Sequence, residues 1–131
     1  ITLHNPGQKI VYFVINLNKR KKDIRKLINS VEKSIIQFLA KYKIQGKNDK
    51  KKIGIWVKDK KIAAIGIRVS KWIAYHGCSI NISNNLNQYL KIIPCGLDNK
   101  KVTSITKLIS TKPKKFESIL ANIFIENINN I

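Results

Sequence analysis

Two residues of this chain are of types that could do covalent chemistry together. One is the cysteine of Lys91-Ile92-Ile93-Pro94-Cys95-Gly96, and the other is the lysine that opens KIAAIGIRVS, Lys61 to Ser70. A free thiol titrates near about pH 8.5 and only its thiolate attacks, so a nucleophilic cysteine needs a base or a nearby cation. A lysine flanked by apolar residues can serve, because burial draws its pKa toward neutrality. Tyr75-His76-Gly77 lies between the two, and His76 is not needed as a base if Lys61 acts as one. A turn-held cysteine with such a lysine points to covalent acyl chemistry. On spacing alone, Cys95 reads first as one more small buried hydrophobe, the common fate of a free cysteine.

The chain of 131 residues is long enough for one domain with a real core and too short for two. Apolar residues make up 44%, a globular composition and not a disordered one. No apolar run is long enough to span a bilayer, and no signal peptide is visible. The chain begins at Ile1 and has no methionine, so an N-terminal portion is expected to be missing. Its formal net charge of +19 raises nucleic acid as a partner. Against that, only Arg20, Arg25 and Arg68 among the 26 basic residues are arginine, the side chain that reads bases and forks onto phosphates. A Lys/Ile/Asn excess is also what an A/T-rich coding bias produces. No nucleic acid is therefore expected as a specific partner, whereas acidic proteins should be attracted at low salt. Cys78 and Cys95 do not form a metal-type pair and nothing completes a zinc set, so no metal is expected and two reduced thiols are favoured over a disulfide.

These residues need elements to position them. Lys9 to Leu17 (KIVYFVINL) reads as one buried strand after the Pro6-Gly7 turn. From Asp23 to Tyr42, apolar residues recur at Ile24, Leu27, Ile28, Val31, Ile35, Phe38, Leu39 and Tyr42, the spacing of an amphipathic helix. After a polar loop over Lys43 to Lys52, Ile53 to Lys58 and Lys61 to Val69 read as two strands joined at Asp59-Lys60. Ile73 to Ser83 reads as a further strand entered through an irregular turn, and Asn84 to Lys91 as a short helix. Val102 to Ile109 is weakly helical. Pro113 suits the first turn of a last helix with the stripe Phe116, Ile119, Leu120, Ile123, Phe124 and Ile128. Strands in the first two-thirds with helices at either end predict an α+β domain, a mixed β-sheet packed with helices.

Four segments in order, HNPGQ (His4 to Gln8), KIAAIGIRVS from Lys61, YHG with SIN around His76, and the PCG around Cys95, together resemble the lipoyl(octanoyl) transferases. The resemblance runs through the whole chain with family-like gaps. The family's first motif, an arginine-glycine-glycine run leading into T-Y-H-G-P-G-Q, is represented only from Ile1-Thr2-Leu3-His4 onward, and Asn5 stands where glycine is usual. The resemblance implies the biotin/lipoate protein ligase catalytic fold over residues 1–131, as one catalytic domain lacking its N-terminal portion. It implies transfer of an octanoyl group from acyl carrier protein to a lysine of lipoyl domains in lipoate biosynthesis, with no cofactor. The acceptors would be lipoyl domains of 2-oxoacid dehydrogenase and glycine cleavage complexes. The enzyme would be a monomer without membrane contact, acting in the cytoplasm, or in an organelle if the source is eukaryotic.

By the same resemblance, Cys95 carries the acyl group as a thioester, and Lys61 lowers the thiol's pKa and acts as base and acid. Ala64, Ile65 and Gly66 match one segment flanking the acyl chain, Gly77, Cys78 and Ser79 a second, and Thr2, Leu3 and His4 what remains of the first motif. Glycine and alanine suit such a site, because they let main-chain N–H groups approach a thioester oxygen and leave width for a hydrocarbon. Gly66 equally reads as a strand glycine that allows close packing. Cys78 also reads as core packing, and His76 as a hydrogen-bonded residue shaping the pocket. Two other classes compete: an ATP-dependent lipoate- or biotin-type ligase, which needs no cysteine nucleophile, and a basic nucleic-acid-binding module, for which Cys95 would be indifferent.

Overall fold

The first helix shows how the sequence builds this fold. The computed structural model describes residues 6–83 and 101–131. Asp23 takes extended backbone angles and its carboxylate accepts the Lys26 N–H at 3.1 Å, capping helix α1 (Ile24–Ala40). Leu27, Val31, Ile35, Phe38 and Leu39 then fall on one face and are fully buried, each worth about 1.5–3 kcal/mol relative to exposure. That face packs on a sheet and on a C-terminal helix, α3 (Glu117–Asn129). Expected at the ends of the α1 stripe, Ile24 is exposed, and Tyr42 lies beyond the helix with its ring edge-on to Phe38.

The sheet contains β1 (Gln8–Tyr12), β2 (Ile15–Asn16), β3 (Ile55–Val57), β4 (Lys60–Ser70) and β5 (Ile73–Asn81). Its order is β1-β5-β4-β3, and β2 continues the β1 edge by pairing with β5. All pairings between the described strands are antiparallel, and the parallel component of the expected mixed sheet is an isolated bridge, Lys61 to Val102. The run KIVYFVINL, read as one strand, is broken at Phe13-Val14 into β1 and β2, and a 3₁₀ turn (Leu17–Lys19) follows.

Two tight turns define the hairpins. Lys71 and Trp72 join β4 to β5 with φ of 51° and 64°, the positive φ pair that a two-residue hairpin loop favours. Neither is glycine, and the loop is held from outside: the Asn18 side-chain amide donates to the Lys71 carbonyl at 3.1 Å and Leu17 N–H to that of Trp72 at 2.8 Å. The β3–β4 turn falls at Lys58-Asp59, one residue earlier than Asp59-Lys60, because Lys58 takes the left-handed position (φ 58°) and Lys60 already pairs with Val57.

A short helix α2 (Ile105–Ile109), capped by Ser104, occupies part of the weakly helical Val102–Ile109 stretch. The last helix begins at Glu117 and not at Pro113, since Lys115 has a φ of 52° and turns the chain out of helical conformation. Leu120, Phe124 and Ile128 are buried as expected, whereas Ile119 points to solvent. Buried Asn127 joins the two long helices by donating from Nδ2 to Ser34 Oγ and Gln37 Oε1, both at 2.9 Å. Arg20 fixes the end of α3 by donating to the Ile128 carbonyl at 2.7 Å. Among the described residues, α1 packs on the sheet and on α3.

Candidate active site on the central strands

The register of β4 and β5 brings the two predicted segments together. Ala64 lies opposite Ser79, Ile65 opposite Cys78, and Gly66 opposite Gly77. Directly opposed residues share a face and successive ones alternate. Ile65 and Cys78 therefore face the helices, where Cys78 is buried and Ile65 packs against the core. Ala64, Gly66, Gly77 and Ser79 form a strip of small residues on the opposite face. On β1, Ile10 pairs with Ser79 and Tyr12 with Gly77, so these two side chains flank the strip. Sequence reasoning missed both; the signal lies in the register, which one strand alone does not reveal.

The two glycines of the strip differ in kind. Among the described residues, a Cβ on Gly66 would meet nothing within 4 Å, so this position is open to them. A Cβ on Gly77 would lie 1.9 Å from the Val11 carbonyl oxygen. Gly77 is thus what allows β1 to close on β5. His76 beside it has a left-handed φ of 68°, and its ring lies 4.8 Å from that of Tyr75. The imidazole is exposed, and the His76 carbonyl accepts the Phe13 N–H at 2.9 Å where β1 breaks.

Lys61 lies at the start of β4, three residues and about 10 Å along the strand from Ala64. Its ammonium stands 5.6 Å from the ring centre of Trp56, its partner on β3. The register shifts between Ile55 and Trp56, an irregularity of the kind that re-aims side chains. Gly54 just before it has a φ of 147°, and a Cβ there would lie 2.8 Å from Lys61 Cε. Gly54 therefore makes room for the lysine stem. A lone glycine in the I-G-I run was the available signal. The half-buried Lys61 amine is held below the usual lysine pKa by desolvation. Buried Cys78 goes the other way, its thiol pushed up to about 12 by burial. Its side chain belongs to the core, so any part it plays in binding is through its backbone.

On its other edge, the Lys61 carbonyl accepts the Thr103 N–H at 2.9 Å beside the bridge to Val102. The start of β4 is thus joined to the chain that re-enters the described structure at Lys101. Asn81 at the end of β5 donates to the Thr103 carbonyl at 3.1 Å, tying the same segment to β5. Cys95, Thr2, Leu3 and His4 lie outside the described residues, as does the helix expected over Asn84 to Lys91. Among the described residues, no group of three or more His, Cys, Asp or Glu is placed to hold a metal ion, and no helix is long and apolar enough to cross a membrane.

Helices packed on an antiparallel sheet in this order are also the fold of biotin and lipoate protein ligases. The biotin protein ligase of Aquifex aeolicus superposes with a TM-score of 0.72 over 95% of this chain and 54% of its own, at 16% identity. An ATP-bound lipoate-protein ligase A superposes with a TM-score of 0.70 over 82% of this chain and 47% of its own, at 12% identity. At such identities the likeness shows the fold. The sequence goes further, matching the lipoyl protein ligase A/B catalytic domain over residues 1–125, and the chain belongs to that family. The octanoyltransferase of Bartonella tribocorum is 46% identical over 120 residues, 82% of this chain and 49% of that protein. That of Rickettsia rickettsii is 44% identical over 131 residues, 94% of this chain and 63% of that protein. The chain spans about half to under two thirds of the length of these curated relatives.

Proposed function

We propose that this chain is the catalytic part of an octanoyltransferase, moving an octanoyl group from acyl carrier protein to a lysine of lipoyl domains through a thioester on Cys95. The observation that carries the reading is Lys61: a half-buried amine with a lowered pKa, on the strand that also carries Ala64 and Gly66, in a chain that the family's catalytic-domain model matches. Neutral Lys61 takes the proton of the Cys95 thiol, and the thiolate attacks the donor thioester. The C–S bond to the carrier breaks, and the departing carrier thiolate takes the proton back from Lys61. In the second half-reaction the acceptor amine attacks the Cys95 thioester, an amide bond forms as the C–S bond to Cys95 breaks, and the proton lost by the amine ends on the released Cys95 sulfur by way of Lys61. Chain connectivity is compatible with this pairing. Cys95 is seven residues before Val102, which bridges to Lys61, a tether of at most about 25 Å.

The strip Ala64, Gly66, Gly77 and Ser79, flanked by Ile10 and Tyr12, suits the acyl chain, because small side chains leave width for a hydrocarbon on a sheet face. Thr2, Leu3 and His4 would close the site from the first motif. Incubating the full-length protein with octanoyl-acyl carrier protein without ATP, and recording its intact mass, tests the reading. An octanoyl adduct is expected on the unsubstituted chain, none on Cys95→Ala, and a severe loss on Lys61→Ala. Absence of the adduct from folded full-length protein overturns it, and a requirement for ATP points instead to the ligase chemistry that the solved neighbours of this fold carry in their names.

A further inference from the structure

An open groove of about 510 Å³ lies where the β3–β4 turn, the chain leaving α1 and the end of α2 meet. Ile44, Val57 and Leu108 line it with apolar surface, and Lys43, Lys47 and Lys58 line it with positive charge. All three lysines are exposed, and so is Leu108. Lys43 and Lys58 both occupy left-handed positions, with φ of 61° and 58°.

Backbone pairing links the groove to the candidate site. Lys47 and Trp56 exchange backbone hydrogen bonds of 2.8 and 2.9 Å, Trp56 pairs with Lys61, and Lys61 bridges to Val102. The lining residue Lys47 is thus two backbone rungs from the candidate base. A phosphate backbone has no use for an apolar lining, and no arginine contributes to the groove. An acidic protein surface with an apolar anchor has use for both parts.

We propose that this groove docks an acidic, apolar-anchored segment of the protein that donates the acyl thioester; the inference rests on the transferase reading above. Its position favours the donor over the acceptor. An acceptor lysine reaches only the length of its four-carbon stem, so its domain must sit over the thioester itself. A donor that presents its thioester on an extended arm can dock to the side, which is where the groove lies.

The test uses the full-length chain and its Lys43→Glu/Lys58→Glu variant, with octanoyl-acyl carrier protein and octanoyl-coenzyme A as alternative donors. The KM for the carrier should rise about tenfold at low salt and the difference should shrink as salt is raised. The rate with octanoyl-coenzyme A and the KM for a lipoyl-domain acceptor should stay within about twofold, and so should all values for Lys33→Glu/Lys114→Glu, which makes the same charge change elsewhere. Equal melting temperatures confirm that the variants fold. An unchanged carrier KM, an equal rise in the control pair, or a rise in the acceptor KM instead overturns the proposal. A dimer of the unsubstituted chain that the groove variant dissociates assigns the groove to a second copy, and also overturns it. Failure of both donors to acylate the unsubstituted chain removes the transferase reading and the docking proposal together. Loss confined to the carrier arm bears on docking alone.

Discussion

Lys61 and Trp56 are backbone partners across β3 and β4, and the Lys61 ammonium also stands 5.6 Å from the centre of the Trp56 ring. The ring does two opposed things. Its π face attracts a cation, while its bulk keeps water from the amine. The net direction is downward, since desolvation is what lowers the Lys61 pKa. The lowered pKa of this amine is thus made by cover and not by a neighbouring charge.

Replacing Lys61 by methionine should therefore separate activity from stability. Methionine keeps the stem that fills the space left by Gly54 and removes the amine. Acyl transfer should fall by about 10² or more, the scale of a lost general base. Stability should rise, because a lysine whose folded pKa is depressed destabilises the fold at every pH where the unfolded lysine is still charged. A gain of about 1–4 °C in Tm near neutral pH is expected. It should fade as pH approaches 10.5, the ordinary lysine value. Melting curves across that range check the sign, and a Tm that falls at neutral pH contradicts it.

The same cover predicts the pH dependence of the reaction. The rate of thioester formation should increase with pH on a limb whose midpoint lies below 10.5, as the Lys61 amine becomes neutral. Trp56→Ala opens the amine to water, so the midpoint should move up toward 10.5. A pH–rate profile with a midpoint displaced downward would mean that the ring acted mainly by attracting the cation.

Two glycines in one row of the sheet should respond in opposite ways. Gly77→Ala forces a Cβ against the Val11 carbonyl, so β1 must separate from β5 at a cost of about 2–4 kcal/mol. Gly66→Ala meets nothing and should change stability by less than about 0.5 kcal/mol. Gly66→Leu should also fold, yet occupy the open strip and shift donor preference toward shorter acyl chains. Urea unfolding of the alanine variants, and adduct formation with donors of graded chain length, provide the two readouts.

What the sequence could and could not disclose follows from the range of each interaction. Helix α1 was legible because its cap, Asp23, and its buried stripe are local features, and so was the extent of β4. The break at Phe13-Val14 was not, since it depends on β5, where His76 takes a positive φ and its carbonyl receives the Phe13 N–H. Pro113 was a plausible helix start by its own geometry, and the left-handed Lys115 two residues later overrules it. At the site, Lys61 and the two small-residue segments were readable as motifs. Their pairing, the flanking Ile10 and Tyr12, and the room made by Gly54 belong to strand register, which joins residues far apart in the chain.

The two thiols should behave as different chemical groups, and this is the sharpest check on assigning Cys95 as the nucleophile. Burial pushes the Cys78 thiol up to about 12, so near pH 8 its thiolate is about one part in 10⁴. Iodoacetamide should label folded protein once, at Cys95, and reach Cys78 only after unfolding. Peptide mapping decides between the two, and rapid labelling of Cys78 in folded protein would remove it from the core. A stability measurement gives independent evidence, with a sign opposite to that of Lys61. A thiol whose folded pKa is raised contributes stability that is fully present below its ordinary value of 9.0 and is lost as pH climbs toward about 12, because only the unfolded chain gains by ionising it. The decline in stability above pH 9 should therefore be shallower in Cys78→Ala than in the unsubstituted protein, although the variant is less stable at pH 7 for lack of the sulfur that Ile65 and Val11 pack around.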